Sequence, residues 1–63
     1  MWTVIYISNT RQYANDIKKV LVGEGFLVKI KPVNKGDKEG SCEIFVPRAE
    51  AEECYSALLN FRL

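Results

Sequence analysis

Apolar residues dominate positions 2–7, Trp-Thr-Val-Ile-Tyr-Ile, and most are β-branched or aromatic. Such a run predicts a strand. Plain alternation puts Thr3, Ile5 and Ile7 on one face and Trp2, Val4 and Tyr6 on the other,. Both faces are then apolar, as in a strand with something covering its second side. The period next changes to 3.6. Tyr13, Ala14, Ile17, Val20 and Leu21 make one helical stripe, and Arg11, Asn15, Lys18 and Lys19 take the solvent side,. Asn9 stands where an N-cap belongs, with Gln12 three residues on to reach back in a capping box,. Gly23 and Gly25 end the helix, and Gly25 is the better candidate for the left-handed residue past the last turn,.

Alternation returns over residues 26–33. Phe26, Val28 and Ile30 share one face, and Lys29 and Lys31 the other. Pro32 removes a ladder donor, which assigns this strand to an edge,. Residues 34–41 are polar, charged and glycine-punctuated, the composition of a flexible loop,. A third strand runs from Ser41 or Cys42 to Val46, with Ile44 and Val46 facing one way and Glu43 and Phe45 the other. Pro47 stops it and opens a second helix, where its missing N–H is not needed,. Glu50, Glu52 and Glu53 follow near that N-terminus, where the dipole favours acids, and read as a solvated helix start,. Ala51, Cys54, Leu58 and Phe61 form the inner stripe, flanked by Tyr55, with Leu59 further round.

The elements assemble as β-α-β-β-α, an α+β unit spanning residues 1–63 as one domain,. A right-handed crossover through the first helix and a hairpin between strands 2 and 3 do not require strands 1 and 2 to be adjacent. In the split β-α-β arrangement of a ferredoxin-like half the third strand inserts between them, giving order 1-3-2 with proline-bearing strand 2 at an edge. Both helices then cover one face, to which the sheet contributes Ile5, Ile7, Val28, Ile30, Ile44 and Val46. The open face carries Trp2, Val4, Tyr6 and Phe45 beside Lys29, Lys31 and Glu43. Strand 1 is an apolar edge with no neighbour to cap it. An apolar patch of this kind on a small domain marks an interaction surface. A domain this size buries only about 60% of its unfolded surface and gains from a partner. The expectation is a homodimer, formed through the strand 1 edge or through the sheet face.

Charge and chemistry narrow the classes. Nine basic and eight acidic residues leave a net charge of +1. Non-specific nucleic-acid and membrane binders carry a clear basic excess, which this chain lacks. No stretch approaches the ~20 apolar residues of a membrane span, and no basic segment precedes the first apolar run as in a signal peptide. Two cysteines, Cys42 and Cys54, with no histidine do not make a zinc site, which takes four ligands,. They read as small buried hydrophobes in a reducing compartment, so the expected location is the cytoplasm. Acid–base catalysis needs a titratable group tuned by burial, and the carboxylates here fall at surface positions. Cys54 follows two glutamates, which raise a thiol's pKa rather than activate it,. No catalytic, cofactor or metal residue is therefore assigned. The expected working surface is Trp2, Val4, Tyr6, Phe45, Lys29 and Lys31, with Lys35, Asp37 and Lys38 of the loop as a contact for a larger protein or a small ligand. This describes a non-catalytic regulatory or protein-interaction module. The alternative is single-stranded RNA, with open-sheet aromatics stacking on bases and Lys29, Lys31, Lys35 and Lys38 on phosphates. Against it stand the missing RNP1 pattern and the acids Asp37 and Glu39 in the loop,.

Several stretches resemble a group of short bacterial signal-transducing domains. They are the opening Met-Trp-Thr-Val-Ile-Tyr-Ile, the Gly-Phe-Leu-Val-Lys-Ile-Lys-Pro-Val that follows the first helix, the polar loop, and Cys-Glu-Ile-Phe-Val-Pro before an acidic helix. The resemblance covers nearly the whole chain. It implies a ferredoxin-like fold akin to the nitrogen-regulatory PII proteins, and a regulatory role. In PII-like proteins a long regulatory loop joins strands 2 and 3. Residues 34–41 take that place but are far shorter and hold no tyrosine to modify. Similar chains are sometimes labelled glutamate decarboxylase. A pyridoxal-phosphate enzyme needs a Schiff-base lysine in a cavity, an acid for the pyridinium nitrogen and a phosphate cup. Sixty-three residues with surface-patterned lysines do not wall off such a cavity.

Overall fold

The structure, a computed structural model, describes residues 1–61; the side chain of Phe61, an expected core residue, lies outside the described part. The elements are β1 (Trp2–Ser8), α1 (Arg11–Gly23), β2 (Lys29–Pro32), β3 (Cys42–Pro47), a 3-10 turn (Arg48–Glu50) and α2 (Ala51–Phe61). The sheet order is β1-β3-β2, and β3 is antiparallel to both neighbours. This is the expected α+β architecture, with Pro32 on an edge strand where its missing donor costs nothing.

Both helices lie on one face. Ala14, Ile17 and Leu21 of α1 and Cys54 and Leu58 of α2 close over Ile5, Cys42, Ile44 and Val46 of the sheet. The thinnest dimension is 15 Å, room for one sheet and one helical layer. Each large aliphatic side chain sealed there contributes about 1.5–3 kcal/mol. In a domain whose net stability rarely exceeds roughly 3–5 kcal/mol, each is decisive.

The ends of α1 follow local chemistry. Thr10 caps the helix, its Oγ1 accepting from the Tyr13 N–H at 3.1 Å. Asn9 is not the cap, because β1 continues to Ser8, whose hydroxyl donates to the Thr10 carbonyl at 2.8 Å and shifts the start by one residue. Tyr13, not Gln12, then stands third from the cap, so no capping box forms. At the other end the Phe26 N–H bonds the Leu21 carbonyl at 3.0 Å and the Gly25 N–H bonds Val22 at 2.9 Å. This is a Schellman closure, and it requires Gly25 at φ +96°,. Residues 26–28 lead out of the turn without ladder partners, and β2 pairs only from Lys29 onward although Phe26 and Val28 pack on the core.

One feature departs from plain alternation. In the β1–β3 ladder Val4 opposes Phe45 and Tyr6 opposes Ile44, which leaves Ile5 as the extra residue of a β-bulge. A bulge turns two consecutive side chains to the same side. Ile5 and Tyr6 therefore both face the helices, and the faces of everything after them are exchanged. Tyr6 is half-buried against the core, its ring 6.2 Å from that of Tyr13 and tilted by 59°. Ile7, expected in the core, opposes Glu43 on the open face and is 57% exposed. Tyr6 is accordingly no part of the open-face patch.

The connection 34–41 carries more structure than its composition suggests. The Asn34 side chain accepts from the Gly36 N–H, and turns close from Asp37 to Asn34 and from Gly40 to Asp37. The Glu39 carbonyl accepts the Arg11 N–H at 3.0 Å, tying the loop to the first turn of α1.

The bulge makes opposite predictions for adjacent residues. Tyr6→Ala should lower stability by about 2 kcal/mol or more, as loss of a packed ring does. Ile7→Ala should stay within about 0.5 kcal/mol, as for an exposed site. Urea denaturation at low protein concentration measures both, and the reverse ranking would mean that β1 is unkinked.

Candidate interaction edge

β1 borders the sheet, and among the described residues β3 is its only strand neighbour. Its free side presents unpaired backbone groups, a template for another strand. Proteins usually blunt such an edge with lysine, proline or an inward charge. The seven residues of β1, WTVIYIS, contain none of these. The bulge is the one edge-blunting device it does carry, twisting the strand at a single point,.

Apolar groups flank the edge on both sides. On the open face Trp2 and Val4 are each 38% exposed, and Ile7 more so. On the helix side Tyr6, Tyr13, Ile17, Tyr55, Leu58 and Leu59 line a cleft of about 90 Å³ above β1. Small-molecule sites usually measure roughly 300–1,000 Å³, so this cleft suits a side chain rather than a metabolite. Tyr55 and Leu59 lie one helical turn apart at its mouth, 52% and 64% exposed. In the sequence Tyr55 flanks the core stripe and Leu59 lies further round. Their spacing with the core was visible, but their position over an uncapped strand was not.

The open face is less bare than its residue types imply. Lys29 opposes Phe45 in the ladder and reaches diagonally, its Nζ 4.3 Å from the centre of the Trp2 ring. Lys31 Nζ lies 5.4 Å from the centre of the Phe45 ring. Each cation–π contact contributes about 0.5–1 kcal/mol at an exposed site and occupies a ring face. Of the expected surface, Trp2, Val4, Phe45, Lys29 and Lys31 do share the open face, whereas Tyr6 points to the helices. Lys35, Asp37 and Lys38 are exposed in the loop. They lie at the other end of the sheet, where Pro32 opposes Cys42, away from the end where Trp2 opposes Pro47. The loop is thus remote from Trp2, while Lys31 stands one rung from its base.

The cysteines are free and buried. The Cys42 thiol donates to the Gly40 carbonyl at 3.4 Å. Cys54 is sealed under α2, and burial, reinforced by the Glu50 and Glu53 carboxylates, pushes its thiol pKa up. Glu52 and Glu53 are solvated as expected, but Glu50 is half-buried, its Oε1 out of contact with solvent and with any donor among the described residues. Among the described residues no three of His, Cys, Asp and Glu converge as a metal site, and no helix is long and apolar enough to cross a membrane.

No protein-family model, characterised protein or solved structure matches the chain.

The raised Cys54 pKa fixes the sign of a pH effect. Below the ordinary thiol pKa both folded and unfolded chains hold the proton, and the contribution is complete. Above about pH 9 the unfolded chain ionises first and stability falls. Cys54→Ala should remove this component, so the variant loses less stability than wild type between neutral pH and the alkaline range. Equal slopes in chemical denaturation would show that the thiol is not shielded.

Proposed function

We propose that this chain is a non-catalytic interaction module that associates with itself along the free edge of β1. One observation carries the reading: an uncharged, proline-free edge strand with exposed apolar side chains both above and below it. A strand added there would satisfy backbone groups and cover Ile7, Val4, Tyr55 and Leu59 together. Edge pairing is favoured over face-to-face contact by the lysines on Trp2 and Phe45. Stacking two open faces would bury Lys29, Lys31 and Glu43 with their copies and strip them of water, a desolvation cost that ion pairing in a buried site often fails to recover,. A regulatory role rests on the resemblance to bacterial signal-transducing domains. The exposed loop with Lys35, Asp37 and Lys38 is the remaining surface for a larger protein or small ligand. Two free, buried thiols fit a reducing compartment such as the cytoplasm.

Sedimentation at micromolar concentration should give a species of twice the monomer mass. Ile7→Lys places a charge beside the edge without touching the core. It should weaken association at least about tenfold, or ~1.4 kcal/mol, with an unchanged circular-dichroism spectrum. A wild-type chain that stays monomeric at millimolar concentration would falsify the reading.

A further inference from the structure

The kink in β1 selects both what covers the edge and in which register, granted the reading of β1 as a self-association edge. Thr3, Ile5, Tyr6 and Ser8 face the helices; Trp2, Val4 and Ile7 face the open side. Side chains directly opposite in an antiparallel pair must lie on the same face. Two copies of β1 related by a two-fold axis satisfy this along the strand when the axis passes between Ile5 and Tyr6. Val4 then opposes Ile7 of the second copy, Ile5 opposes Tyr6, and Thr3 opposes Ser8. Moving the axis onto Ile5 sets Val4 against Tyr6 and Thr3 against Ile7. Moving it onto Tyr6 sets Ile5 against Ile7 and Val4 against Ser8. Each of these pairs joins a helix-side residue to an open-side one, a mismatch that a buried face does not tolerate.

A regular strand from an unrelated protein meets β1 less well. It must set one residue against two at the bulge, as β3 already does with Ile44, and the local ladder is disrupted there. A second β1 brings the same kink to the same place. The strand holds no charge to repel its own copy,. On the open side two Val–Ile pairs form and cover the exposed Ile7. On the helix side the Tyr6 rings and the clefts beside them approach across the axis.

We infer that the occupant of this edge is a second copy of the chain, paired antiparallel through β1 about a two-fold axis between Ile5 and Tyr6, so that two three-stranded sheets become one. The test mixes Val4→Cys and Ile7→Cys chains under mild copper-catalysed oxidation, with wild type as control for the buried Cys42 and Cys54. The mixture should yield a disulfide-linked dimer, and either variant alone should yield little, because Val4 opposes Ile7 and neither opposes its own copy. A wild-type sample mixing labelled and unlabelled copies needs no substitution and should show Val4–Ile7 methyl contacts between copies. Dimeric mass with strong linkage in Ile7→Cys alone, or without intermolecular Val4–Ile7 contacts, overturns the register and leaves self-association standing. Monomeric mass at all concentrations overturns both.

Discussion

The extra residue in β1 is the constraint on which the rest of the structure depends. Plain alternation would carry Ile7 inward and turn Tyr6 and Ser8 out. The bulge does the opposite, and its local energetics explain why it is stable. Exchanging Ile7 for Tyr6 on the helix side keeps a large apolar side chain in the layer, now packed against Tyr13. Ser8, turned inward, finds the Thr10 carbonyl, a bond worth on the order of 1 kcal/mol net. That bond sets the short turn into α1, so that Thr10 caps the helix and the Ala14-Ile17-Leu21 stripe meets the sheet. The cost is an isoleucine left in water beside a free edge.

That cost shapes the surface beside β1. A three-stranded sheet covered on one side has little core to spare. The same kink that completes the core leaves Ile7 exposed, and α2 leaves Tyr55 and Leu59 above the strand. Edge backbone and apolar shoulders thus coincide on one side of the molecule. The opposite edge is short and ends at Pro32, with Lys29 and Lys31 along it, features that discourage pairing. The two edges thus differ: lysine and proline stand along β2 and neither along β1.

Most of the architecture was legible in the sequence because it depends on periodicity and punctuation. Gly25 announced the end of α1, Pro32 the edge, Pro47 the passage from β3 to α2, and the alternation of Cys42 to Val46 the faces of the central strand. The strand order followed from Pro32, which sends β2 to an edge, and from the hairpin that sets β3 beside it,. The bulge was not legible, because a run apolar on both faces reads nearly the same in either register; no charged residue lies between Trp2 and Ile7, and Thr3 stands before the bulge, where both registers agree. Its consequences, Tyr6 inward and Ile7 outward, escaped for the same reason. The Thr10 cap was displaced by the added length of β1, and the withdrawal of Glu50 from solvent depends on the 3-10 turn before α2, which composition alone does not announce. The lysine–aromatic contacts needed the diagonal geometry of the assembled sheet.

Residue-resolved amide hydrogen exchange at increasing protein concentration tests the kinked free edge as the working surface most directly. Protection of the outward-facing β1 amides should rise with concentration while the β2 edge stays unchanged. Outward β1 amides that exchange freely at every concentration, or protection that grows on β2 instead, would contradict it.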